Sequence, residues 1–221
     1  MADVELLEGD LRKFLGDEAV GLVKTYFSPK YTGNWFHQFG GGGDAESVAN
    51  HFTGDDVVAV SLLDVNIPGS AALELLVHRA DRLNGLLADV PRDLDLHAAT
   101  VDQIGPGSAA DRLWSALVEI PEVGWVTAGK LMARKRPRLI PIYDSVVKAA
   151  LNPGSRNYWI ALRNELQDKK LRDDLGAIRS KAGVDSKIPI IRVLDVCVWM
   201  RNWSGSDPAN RLPFTPRSDR S

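Results

Sequence analysis

Cysteine is almost missing. Cys197 stands alone among 221 residues, which excludes an internal disulfide, a cysteine zinc site and an iron–sulfur cluster, because each needs several thiolates. Long hydrophobic runs are missing too. No stretch approaches the roughly 20 apolar residues of a membrane span, and the start "MADVELLEGDLRKFLGDE" has neither a basic n-region nor a long apolar core, so neither a signal peptide nor a membrane partner is expected. A reducing cytoplasm is the expected compartment. Basic charge is not in excess: 27 Lys and Arg face 29 Asp and Glu, a formal net charge of −2. That argues against a protein coating nucleic acid through a broad basic face, and leaves room for a local basic site. His51, His78 and His97 are isolated, without metal-ligand spacing, so no metal is expected. Sustained apolar alternation is scarce as well, which argues against a sheet.

What is present is helical period. "EAVGLVKTYF", "ALELLVHRADRLNGLL", "AADRLWSALVEI", "YWIALRNELQDKKLRDDLGAI" and "IPIIRVLDVCVWMRNW" place apolar residues three and four apart. "DDVVAVSLLDVNIP" has a strand-like composition, but Thr53 with Asp56 three positions later favours a helix starting there. The fold class is therefore all-α. One domain is expected over 1–203, with two helical lobes of roughly 1–100 and 101–203 and a cleft between them. The Pro- and Ser-rich tail 204–221 is expected over the surface or disordered. "SPKYTGNWFHQFGGGGDAES" reads as a loop because Pro29, Gly33 and Gly40 to Gly43 interrupt any regular element.

Chemistry concentrates in "IPEVGWVTAGKLMARKRPRLIPIYDSVVKAAL", residues 120–151. Ser108 and Asp111 cap a helix ending near Ile120; Pro121 and Gly124 turn the chain, and Trp125 opens a second helix. The result is a helix-hairpin-helix over 108–134. Amides at the start of its second helix, around Val123, Gly124, Trp125 and Thr127, point outward where the helix dipole favours an anion such as a nucleic-acid phosphate. Arg134, Lys135, Arg136 and Arg138 follow, offering further phosphate contacts; a merely solvated basic loop is the alternative.

Asp144 lies twenty residues after Gly124. The stretch from Ile120 to Lys148 resembles the signature of the helix-hairpin-helix DNA glycosylase superfamily, and its spacing is similar to that of adenine glycosylases acting opposite oxidised guanine. The resemblance runs through Thr127, Ala128, Gly129, Pro141, Ile142, Asp144, Val147 and Lys148. The overall pattern also resembles an uncharacterised actinobacterial-type family of unknown function. The glycosylase resemblance implies DNA as partner, extrusion of a base, and Asp144 as the carboxylate that stabilises positive charge on the deoxyribose and directs water. Val126 occupies the place of the lysine nucleophile of bifunctional members, which implies base removal without strand cleavage. Two departures stand out. Glu122 replaces the first hairpin glycine, and the four-cysteine cluster of many adenine glycosylases is absent, so no cofactor is implied.

The remaining candidates concern the base. Tyr31, Trp35, Phe36, His37 and Phe39 can stack on an extruded base or wedge into the duplex, and Asn34, His37 and Gln38 can read its edge; packing of Trp35, Phe36 and Phe39 onto the core is the alternative. Asp64 and Asn66 can line a pocket. Trp199 and Trp203 read as core or interface aromatics. Asp144 as a plain helix cap is compatible with either outcome. The expectation is a monofunctional DNA glycosylase, in repair or acting on hypermodified viral DNA in antiviral defence. A non-catalytic module recognising damaged or modified DNA, and a helical interaction protein that never touches DNA, are the alternatives.

Overall fold

The computed structural model describes residue 7, residues 10–151 and residues 157–202. All regular elements among the described residues are helical. The α-helices are α1 (Ala19–Tyr26), α2 (Gly54–Ser61), α3 (Gly69–Leu73), α4 (Ala80–Ala88), α5 (Val101–Ile104), α6 (Ala109–Val118), α7 (Trp125–Lys135), α8 (Ser145–Leu151), α9 (Tyr158–Glu165), α10 (Lys169–Lys181) and α11 (Ile190–Asn202), and short 3-10 turns occupy Leu11–Phe14, Thr32–Trp35, Phe39–Gly41 and Leu96–Ala98, two of them inside the expected loop. The expected tail and Trp203 lie outside the described residues. No helix of the described residues is long and apolar enough to cross a membrane.

Caps explain where the helices start. Thr53 N–H donates to Asp56 Oδ2 at 2.9 Å and opens α2, resolving the ambiguous β-branched run as a helix. Ser108 Oγ accepts from Asp111 N–H at 3.0 Å and opens α6; the Asp111 carboxylate takes the Gly107 N–H at 2.8 Å. Two segments that read as single helices are broken in two. In the first, a π-helical turn, Glu74–His78, joins α3 to α4. In the second, Asp168 caps Lys170 N–H at 2.8 Å, so α10 starts afresh after α9.

Packing does not divide the chain near residue 100, as the expected lobes would. α2 packs on α7, α4 on α6, and α6 on α7, whereas α1 lies against α10 and α11, and α8 against α11. The chain's first helix thus belongs with its last two. Apolar period is the cause: Ala19, Val23 and Tyr26 form the buried stripe of α1, and α11 is buried continuously from Ile191 to Val198, so it offers neighbours on several sides. α7 is likewise buried from Thr127 to Lys135, charged residues included. The basic end of α7 therefore faces the protein interior.

Candidate active site

α6 and α7 follow one another across a short turn and pack together. That turn carries Glu122 at φ 68°, the left-handed region that favours glycine, and the Glu122 carboxylate accepts from Ser70 Oγ at 2.9 Å on α3. Gly124 caps α7 without a side chain, so no capping oxygen occupies the first-turn amides. Val123 and Thr127 are buried, and Gly124 and Trp125 are exposed. Trp125 packs on Tyr143, ring centroids 5.4 Å apart, and Lys148 Nζ lies 5.5 Å over the Trp125 ring. These contacts tie the hairpin to the segment that carries Asp144.

The basic run is a correction. Arg134, Lys135 and Arg136 are fully buried, which leaves them no surface to offer a phosphate. Arg134 Nη1 donates to the carbonyls of Phe36 (2.5 Å) and His37 (2.6 Å), Nη2 donates to Phe39 O, and Nε meets Asp56 Oδ1 at 3.3 Å. Lys135 Nζ reaches Asp56 Oδ2 at 2.5 Å and Val48 O at 3.1 Å. Arg136 donates to Val90 O (2.8 Å), Ala49 O (2.7 Å), Leu87 O (2.5 Å) and Asn50 Oδ1 (2.9 Å); burial pushes its pKa down to about 10, so it stays charged at neutral pH. Irregular backbone leaves carbonyls without helical partners, and buried ones must find donors. The run is therefore an internal clamp on the loop 36–50, neither a phosphate claw nor a solvated loop. Arg138 alone of the four is exposed, and it forms a two-pronged pair with Asp95 at 2.9 and 2.7 Å.

The glycine tract fits the same account. Gly40, Gly41 and Gly42 have φ of 57°, 83° and 98°, and a Cβ on Gly43 would stand 2.6 Å from Arg134 O. The glycines let the backbone fold down onto the guanidinium. Phe36 is buried in the core and Phe39 packs against it, whereas Trp35 is exposed. Asn34 Nδ2 is spent on Ser28 O at 3.1 Å, Gln38 is exposed, and His37 stacks edge-on against Phe36, its pKa driven well below the usual value by burial and by Arg192 and Arg134. None of Asn34, Trp35, His37 and Gln38 lines the principal cleft.

That cleft encloses about 720 Å³, ample for a nucleoside-sized ligand. Tyr31, Asp64 and Asp144 are among the residues that line it, and Asp64 holds φ 61° there. Asp144 Oδ1 accepts from Val146 N–H (3.0 Å) and Val147 N–H (2.9 Å), so it does cap α8; Oδ2 takes no hydrogen bond among the described residues. Lys130 lies in the same wall, its Nζ on Leu63 O at 2.7 Å. Burial lowers its pKa, and Asp144 acts against that shift. Val126 lines the cleft too.

Tyr26, Arg192 and Asp195 also line the cleft and were not singled out from sequence. The available signal was two opposite charges three residues apart inside the apolar run of α11. Arg192 donates to Tyr26 Oη, and a Cβ on Gly33 would fall 2.1 Å from that oxygen, so Gly33 is what lets the loop close over it. Asp195 Oδ2 accepts from Ile142 N–H at 3.0 Å, and burial pushes its pKa up to about 7 against the pull of Arg192. Tyr26, Tyr31 and Trp199 stand against one another at 5.5 to 6.2 Å and give the cleft an aromatic side.

Residues 19–202 match DUF6308, described as a family of unknown function. No curated protein and no solved structure matches the chain.

Proposed function

The chain belongs to the DUF6308 family of unknown function, and from its cleft we propose a monofunctional DNA glycosylase that extrudes a damaged or modified base and hydrolyses its N-glycosidic bond. The observation that carries this reading is the placement of Asp144: a carboxylate in the wall of the main cleft, with one oxygen held by two amides and the other open, on a segment packed against the hairpin. Ionised Asp144 supplies negative charge opposite the oxocarbenium character that develops on deoxyribose as the bond breaks. It also accepts the proton of the water that adds to C1′, while the base leaves with the bond's electron pair and is protonated. The first-turn amides of α7 hold a phosphate beside the cleft, and Lys148 lies exposed on the adjoining helix.

Cleavage of the strand is not part of the proposal. Val126 puts an apolar side chain where a nucleophilic amine would be needed, and the Lys130 amine is tied to the Leu63 carbonyl. A cleft of this volume admits a base larger than the four common ones, which is compatible with hypermodified viral DNA and a role in defence as well as with repair. The test incubates the protein with duplex and single-stranded DNA carrying normal, damaged and hypermodified bases, followed by alkaline cleavage at abasic sites. Abasic sites that vanish in Asp144→Asn support the glycosylase. DNA binding without abasic sites in either protein supports a recognition module, with Asp144 a cap only.

A further inference from the structure

A second cavity, of about 350 Å³, shares a wall with the principal cleft. The sharing runs residue by residue. In the segment 141–144, Pro141 and Tyr143 line the second cavity while Ile142 and Asp144 line the first; on α7, Trp125 and Gly129 line the second while Val126 and Lys130 line the first. A step of four residues keeps each α7 pair on one side of the helix. The partition is thus a single backbone, with Asp144 on one side and Tyr143 on the other.

The second cavity is aromatic. Trp114 of α6 and Trp159 of α9 join Trp125 and Tyr143 there. Tyr143 is braced by Trp125 and by Tyr158, on which it stacks at 4.1 Å and 18°. Trp114 and Trp159 are half-buried, yet neither has a ring contact or a side-chain hydrogen bond among the described residues. Gly129 lies inside α7, where glycine is less stable than alanine, and a Cβ on it would meet nothing within 4 Å. Open space accounts for that glycine. Two charged residues border the cavity: Asp111 spends Oδ2 on the Gly107 amide at 2.8 Å, whereas Lys148 is exposed, makes no ion pair among the described residues and holds Nζ 5.5 Å over the Trp125 ring.

We propose that this cavity takes a second unpaired nucleobase, the neighbour of the extruded one in the same strand, stacked on the indoles with its phosphate on Lys148. Open aromatic faces beside an uncommitted cation are how proteins hold single-stranded nucleic acid, and such sites tolerate any sequence because every base has a π-face. The inference rests on the glycosylase reading for the strand as ligand, and it goes beyond that reading by giving the protein two base sites across one partition. The substrate is then DNA with two adjacent unstacked nucleotides, single-stranded or locally melted.

The test is a tryptophan-fluorescence titration of the full chain with two single strands of equal length, one of thymidines and one with every base replaced by hydrogen. The thymidine strand is expected to quench the emission and to bind about 10-fold or more tightly. Gly129→Leu, which fills the cavity without removing a contact, and Trp159→Leu, which removes a stacking face, are each expected to erase that preference and leave affinity for the base-free strand unchanged. Equal affinity for the two strands means phosphate contacts only, and a preference that survives both substitutions means a base held in the principal cleft; either result, or no binding of either strand, overturns the proposal. Photocrosslinking the unmodified protein to a strand of 5-iodouracil decides even where the variants fail to fold. Adducts at Trp114, Trp125, Tyr143 or Trp159 are expected, and adducts confined to other residues overturn it. Asp144-dependent abasic sites with a preference indifferent to Gly129→Leu remove the second base site and leave the glycosylase standing; a preference erased by Gly129→Leu without abasic sites does the reverse.

Discussion

Replacing Arg134 by methionine is expected to unfold much of the protein before it weakens any DNA contact. The side chain is 1% exposed and serves three backbone carbonyls and Asp56. Methionine fills a similar volume but donates nothing, so Asp56 keeps only Lys135 as a cationic partner and three carbonyls of the loop lose their donor. Breaking a buried ion pair from one side costs about 3–5 kcal/mol, and each orphaned buried acceptor about 1–3 kcal/mol. The terms overlap, because the loop relaxes and water enters, so a net loss of about 4–6 kcal/mol is the working figure. That approaches the whole stability of an ordinary domain, about 5–15 kcal/mol. Urea titration followed by circular dichroism and tryptophan fluorescence reads it directly. With a slope of about 2–3 kcal/mol per molar, the midpoint falls by roughly 2 M, and the fluorescence change includes the exposed Trp35 beside the clamp. A variant with an unchanged midpoint and a selectively reduced affinity for DNA would refute the internal-clamp account and return Arg134 to the phosphate.

Arg138→Gln provides the contrast: it removes an exposed pair with Asp95, so stability changes by less than about 1 kcal/mol, measured by the same urea titration. Gly43→Ala is expected to lose about 1–3 kcal/mol because its Cβ meets Arg134 backbone and side chain at 2.6–2.7 Å, while Gly41→Ala, with open space but φ 83°, loses only the left-handed penalty of about 1–2 kcal/mol; thermal melts rank them. Asp195 has a folded-state pKa of about 7, well above its unfolded value of about 3.9. The native state therefore holds the extra proton between those values, and the Asp195 contribution to stability falls as pH rises from about 4 to about 7 and is level above. Subtracting the stability of Asp195→Asn from that of the unmodified protein, pH by pH, isolates this slope; a flat difference contradicts the buried-acid account. Asp144→Asn keeps a capping side chain, so its stability is expected within about 1 kcal/mol of the parent while base removal drops about 100-fold or more.

Local signals in the sequence reported local structure well. Thr53 with Asp56, and Ser108 with Asp111, marked helix starts because a cap is decided within four residues. The Asp144 cap at the start of α8 was legible for the same reason. The basic run was misread because its sequence carries no sign of burial: charge predicts exposure on average, and only the fold brings the carbonyls of 36–50 to Arg134, Lys135 and Arg136. Glycines 40 to 43 looked like freedom and are constraint, since positive φ and a missing Cβ are what the close approach to Arg134 requires. The aromatic loop was half legible: Tyr31 reaches the cleft, while Asn34, Trp35, His37 and Gln38 do not. Arg192 and Asp195 escaped notice because their meaning depends on which helices surround α11, a matter of long-range packing.

That packing sets an order of events during synthesis. α1 emerges early, but its partners α10 and α11 begin at Lys169 and Ile190. At about 5–20 residues per second, roughly 10–30 s separate the first helix from the last. Throughout that interval Ala19, Val23 and Tyr26 have no final resting place, and Tyr26 waits for Arg192. The middle helices, which pair with near neighbours such as α6 with α7, are free to fold meanwhile. The cleft, lined by residues from Tyr26 to Trp199, is thus completed only once the last helix has emerged, and a nascent chain displays α6 and α7 before that pocket is whole.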